Sequence, residues 1–109
     1  HYYGDFYHSG YESSLIDMKD QYFITNTVRA LKRVNHTLYV YDASGFIIID
    51  LDNRRIQGFF NNRLGGEGPK GVPDSLRGHY GTDFTMIYAL SKLDPKDLEI
   101  LWKLQRKKD

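Results

Sequence analysis

Residues 37–60 read TLYVYDASGFIIIDLDNRRIQGFF, and this stretch decides the fold. Thr37–Asp42 alternates, with Leu38 and Val40 on one face and Tyr39 and Tyr41 on the other, as a strand requires. Ala43-Ser44-Gly45 is a tight turn. Phe46–Leu51 is apolar on both faces until Asp50, the composition of a central strand covered from both sides. Asp52-Asn53 makes a second turn and Arg55–Phe60 a third strand, so the segment reads as an antiparallel meander.

Towards the N-terminus the signals change. Leu15, Met18 and Tyr22 recur at three- and four-residue spacing, as do Ile24, Val28 and Leu31, which predicts a helix from about 12 to 34 or two pieces breaking near Thr25-Asn26. Against an unbroken helix, Tyr22–Thr27 is rich in β-branched and aromatic residues, which lose rotamer freedom there. Arg29, Lys32 and Arg33 would then close the helix, where cations favour the negative end of its dipole. Residues 1–10, aromatic and broken by glycine, suit an extended arm.

Towards the C-terminus, residues 61–82 form a long glycine-rich connection in which Pro73–Arg77 could make one helical turn. Asp83–Leu90 predicts a further strand. Asp94 as cap and Pro95 at the first helical position open a helix with Leu98, Leu101 and Trp102 along one face. The expected fold class is α+β: an N-terminal helical segment, an antiparallel sheet of about four strands and a C-terminal amphipathic helix, all in one domain over 1–109.

Composition narrows the function classes. The chain has 109 residues, 15 Lys and Arg against 14 Asp and Glu, and a formal net charge of +1, so no global field draws it to nucleic acid. It has no cysteine, which excludes disulfides, thiolate metal sites and cysteine nucleophiles. No apolar run approaches the roughly 18–20 residues that span a bilayer, and no signal peptide is visible. The pattern calls for no membrane and no cofactor, and leaves the compartment open. His1 in first place suits an excised or processed domain.

The distribution of charge is more telling. Between residues 54 and 77, Arg54, Arg55, Arg63, Lys70 and Arg77 face only Glu67 and Asp74. Glycines around Lys70 allow close backbone approach to an anion, yet no G-x-x-x-x-G-K-[ST] order occurs, which argues against nucleoside triphosphate chemistry. Arg77-Gly78-His79-Tyr80-Gly81-Thr82 adds a histidine, a cation and a hydroxyl, the minimum for metal-independent phosphodiester cleavage. His79 would move the proton, and Arg77 and Lys70 would stabilise the phosphate. Arg54, Arg55, Arg63 and Thr82 would extend the binding surface, and Tyr39 and Tyr41 would offer a stacking platform if their face is open. The same tyrosines belong to the core if a helix covers that face. Metal-ligand spacing is absent. A basic surface on this near-neutral chain would form if three groups share a face: Arg29/Lys32/Arg33, the cations of 54–77, and Lys103/Arg106/Lys107/Lys108; otherwise they are scattered solvated charges.

The functional expectation is therefore binding of an anionic partner, RNA first, through the 54–83 region, with ribonuclease activity as an extension. At fold level, helices followed by a small sheet with basic loops resembles the toxin ribonucleases built on a barnase-like sheet. Val40-Tyr41-Asp42-Ala43-Ser44-Gly45-Phe46-Ile47 resembles the V-x-D-x-x-G-x-I hairpin of PAS-like sensor domains, which implies a ligand-binding module. A protein-interaction module of inhibitor, immunity or accessory type, using the tyrosines and the loop as contact surface, is the third class.

Overall fold

The structure, a computed structural model, describes residues 1–60 and 72–108. The strands are β1 (Tyr2–Tyr3), β2 (Phe6–Ser9), β3 (Ser14–Asp17), β4 (Tyr22–Thr25), β5 (Val28–Val34), β6 (Thr37–Asp42), β7 (Gly45–Asp50), β8 (Arg55–Phe60) and β9 (Phe84–Ile87). The helices are α1 (Val72–Tyr80) and α2 (Pro95–Lys108). β1 to β4 pair in sequence order as one antiparallel sheet. β5 to β9 pair in order as a second sheet, in which only the β8–β9 pair is parallel. α1 lies in the connection that returns the chain to β9, as a parallel pair requires.

The protein is thus mostly β, with nine strands in two sheets among the described residues, and the expected α+β class with an N-terminal helix is overturned. Residues 12–34 form β3, β4 and β5 with the turns between them. The misleading three- and four-residue spacing arises because short hairpin strands bring apolar residues round at that interval. Leu15 and Ile24 are buried strand residues, but Met18, between them in the apparent helical series, lies in a turn and is 41% exposed. Left-handed backbone at Ser13 and Gln21 breaks the helical path before each strand. The β-branched and aromatic run at 22–25 favours the extended chain.

The second sheet is covered on both faces. Leu38, Val40, Ile47, Ile49 and Ile56 meet Phe6, Leu15 and Ile24 of the first sheet, together with Leu76 of α1. On the opposite face, Tyr39, Phe46 and Ile48 pack under Leu101 and Leu104 of α2. β7 is consequently buried on both sides, which its continuous apolar sequence supplies. Gly45 starts that strand because a Cβ there would sit 2.0 Å from the Phe59 carbonyl oxygen.

α2 begins where its cap dictates: the Asp94 carboxylate accepts from the Lys96 N–H at 2.9 Å. Its buried stripe runs through Leu101 and Leu104, whereas Trp102, expected on that stripe, is 51% exposed. Among the described residues, no helix is long and apolar enough to cross a membrane.

Candidate functional site

α1 carries the candidate catalytic histidine, and helical periodicity decides where it points. Leu76 enters the core at 1% exposure, so Tyr80, four residues on, and His79, three residues on, face the first sheet. The Tyr80 hydroxyl donates to Asp17 Oδ2 at 2.7 Å. Asp17, at the end of β3, is fully buried. Its other oxygen accepts the backbone N–H groups of Lys19 (3.1 Å) and Asp20 (3.3 Å), which folds the β3–β4 turn around it.

Arg54 completes the cluster from the β7–β8 turn, where its own backbone is left-handed (φ 57°). Its guanidinium bonds Asp17 Oδ2, reaches Asp5 Oδ2 at 3.0 Å and Asp20 Oδ2 at 3.4 Å, and lies over the Phe6 ring. His79 Nε2 sits 3.0 Å from Asp20 Oδ2. The imidazole stacks on Tyr22 with centroids 4.0 Å apart and meets the Tyr80 ring edge-on. Sequence reasoning placed Arg54 and His79 in one site, and they do share a carboxylate, Asp20. It missed that three aspartates from the N-terminal sheet and its turns surround them, because those contacts span 34 to 59 residues.

The electrostatics follow from burial and pairing. Burial works to raise the Asp17 pKa, but hydrogen bonds from Arg54, Tyr80 and the Asp20 N–H, with the Arg54 charge, outweigh it and hold the carboxyl below its usual range. Tyr80 is pushed upward by burial first, then by its bond to the Asp17 carboxylate. The arrangement is an internally satisfied ion cluster. It presents three carboxylates against one guanidinium, a poor approach for a phosphodiester.

The remaining expected site residues are dispersed. Arg77 is 53% exposed and pairs with Asp74 on its own helix at 3.6 Å. Arg55 and Thr82 are exposed, at the start of β8 and in the 3₁₀ turn Gly81–Asp83. Tyr39 is buried beneath α2, with its hydroxyl donating to Asp97 at 2.5 Å. Tyr41 is half-buried on the same face, its ring 5.5 Å from that of Phe46. α2 therefore covers the face on which a stacking platform was expected. Lys70 and Arg63 lie outside the described residues.

The hairpin that resembles a PAS-like motif has a structural role. Asp42 is 1% exposed and accepts hydroxyl bonds from Thr25 (2.9 Å), Thr27 (3.0 Å) and Ser44 (2.5 Å) and the Ser44 N–H (3.1 Å). It clasps the β6–β7 turn to the link between the sheets. Every donor is spent within the protein. No group of three or more His, Asp or Glu among the described residues is arranged to hold a metal ion.

The basic surface lies elsewhere. A groove of about 410 Å³ separates the outer strand β5 from α2 and is lined by Leu31, Lys32, Ile100, Lys103, Leu104 and Lys107. Helical spacing puts positions 100, 103, 104 and 107 on one face of α2. Pairing places Lys32 opposite Tyr39, hence on the face that α2 covers. Lys103 pairs with exposed Glu99 at 3.1 Å, and neither Lys32 nor Lys107 has an ion-pair partner among the described residues. Of the three basic groups noted in the sequence, 29–33 and the C-terminal run thus meet, and among the described residues none of the 54–77 cations lines the groove with them. The signal was present, but reading 29–33 as the end of a helix assigned those cations to a dipole that does not exist. No known protein family, curated protein or solved structure matches the chain.

Proposed function

We propose that the protein is a binding module for an anionic partner, and that the contact surface is the β5/α2 groove rather than the 54–83 region. One observation carries the reading: three lysines line the groove with the aliphatic residues Leu31, Ile100 and Leu104, and no acid is among them. Lysine ammonium groups held over apolar surface attract an anion by charge while their stems and the aliphatic floor bury part of it. Arg29, Arg33 and Arg106, exposed on the same two elements, extend the positive charge beyond the groove.

Binding of a labelled RNA oligonucleotide and of polyglutamate, followed by fluorescence anisotropy against salt, tests this. Wild type should bind at least one of them, with affinity falling as salt rises. Lys32→Ala/Lys107→Ala should weaken the complex and flatten the salt dependence, while Arg77→Ala should leave both unchanged. Binding of neither, or binding indifferent to the two lysines, overturns the proposal.

A second reading, metal-independent RNA cleavage with His79 moving the proton, draws on the 3.0 Å His79–Asp20 contact. The carboxylates of Asp5, Asp17 and Asp20 count against it. RNA incubated with wild type and His79→Ala in EDTA decides: cleavage by wild type alone supports it, and no cleavage ends it.

A further inference from the structure

We infer that the partner is a protein segment of alternating acidic and aliphatic residues that adds as a strand to the open edge of β5, beneath the C-terminal turns of α2. The inference rests on the anion-binding reading above and names its ligand.

β5 is the outermost strand of its sheet. The Val28 N–H is taken by the Ser13 carbonyl at 3.0 Å, but no backbone–backbone bond outside the sheet reaches residues 29–34 among the described residues. The register shows which groups are free. Val34 and Thr37 flank a two-residue turn and pair directly, as hydrogen-bonded neighbours do at such a turn. Counting back by two, Lys32 and Ala30 also bond to β6. The N–H and C=O groups of Leu31 and Arg33 therefore point off the edge, a ladder awaiting an extended chain.

The side chains beside that ladder specify what the chain must carry. Successive residues of an added strand point to opposite sides. On one side stand Lys32 from β5 with Lys103 and Lys107 from α2. On the other, Leu31 packs against the core between the sheets. An acid at every second position meets the lysines, and an aliphatic residue between them continues the apolar surface at Leu31. Glutamate suits the first positions, because its stem can lie on Ile100 and Leu104.

Other occupants fit less well. Single-stranded RNA needs aromatic faces for its bases, and the groove has none. A second copy pairing β5 to β5 would set Arg29, Lys32 and Arg33 against the same cations. Those charges blunt indiscriminate edge pairing and reserve the edge for an acidic strand.

The test uses a short, labelled, acetylated peptide alternating glutamate and valine, two versions N-methylated on one or the other alternate set of amides, and an RNA oligonucleotide. The parent peptide should bind, and Lys32→Ala/Lys107→Ala should weaken it. One N-methylated version should bind at least about tenfold more weakly, since only one amide set faces β5, while the other binds like the parent. Equal binding by both methylated versions overturns strand addition. RNA bound through the lysines with the peptide unbound overturns the inference and leaves the anion-binding reading standing. Neither bound overturns both.

Discussion

At the α1 end of the molecule Asp5, Asp17, Asp20, Arg54, His79 and Tyr80 satisfy one another, whereas at the β5/α2 end lysines face a groove that holds no acid. Both regions are rich in charge, and both drew attention in the sequence. Burial separates them. The Asp17 carboxylate is fully buried and the Arg54 side chain is 17% exposed, so each needs the other, and together they fix α1 and the β7–β8 turn to the first sheet. The groove lysines are exposed, cost little to keep in water and remain available to a ligand. Charge spent internally contributes to folding, and charge left facing an apolar groove contributes to recognition.

The largest expected effect breaks the first half of this comparison. Arg54→Met leaves Asp17 buried without its cation and should cost about 3–5 kcal/mol in urea unfolding. Arg54→Lys should recover little, because one ammonium cannot reproduce a fork that reaches Asp5, Asp17 and Asp20. A loss below about 1 kcal/mol in Arg54→Met would mean that water, not Arg54, compensates Asp17.

Tyr80→Phe is the next step down. It removes one of the donors to Asp17 and should cost about 1–3 kcal/mol. The pH dependence gives an independent reading. The Asp17 pKa is depressed from 3.8, so its contribution is present above that value and lost as the pH falls through the folded-state pKa. The Tyr80 pKa is raised from 10.0, so its contribution is present below pH 10.0 and lost as the pH rises beyond it. Thermal unfolding against pH should show both limbs. In Tyr80→Phe the alkaline limb should shrink, with Tyr39, raised by burial and then by its bond to Asp97, keeping the remainder. An unchanged alkaline limb would place the titration elsewhere.

His79→Ala is expected to cost about 1 kcal/mol, through the stacked Tyr22 ring and the Asp20 contact, and to leave anion binding untouched. Weakened binding in this variant, with the fold intact, would return the site to α1 and sink the division drawn here.

What was legible in the sequence follows the range of the interactions. The strands at 37–42 and 45–50 announce themselves because neighbouring residues alternate or run apolar, and α2 does so through Asp94 and Pro95. Residues 14–25 hide because four-residue strands are too short to establish a period of two, and turns such as the one around Met18 add apolar residues at helical intervals. Asp17 gave no signal, since its partners Arg54 and Tyr80 are distant in the chain. The cations of 29–33 and 103–107 were visible, but their meeting depended on β5 being an edge strand. Local pattern could not supply that fact once residues 12–34 were read as helix.

The smallest expected effect sharpens the second half of the comparison. Lys32→Ala/Lys107→Ala should change stability by no more than about 0.5 kcal/mol, because exposed side chains without a buried partner contribute little. The direction is informative. Lys32 and Lys107 line one groove with Lys103, so their like charges repel in the free protein, and removing two of them relieves that repulsion. A slight stabilisation at low salt that fades at high salt is therefore expected from urea unfolding at two ionic strengths. Lys103 must be left in place, since its exposed pair with Glu99 at 3.1 Å would mix a small loss into the gain. If the double variant is instead destabilised by more than about 1 kcal/mol, the lysine stems are packing the β5/α2 seam. The groove would then be a structural joint, and the contrast with the Asp17 cluster would disappear.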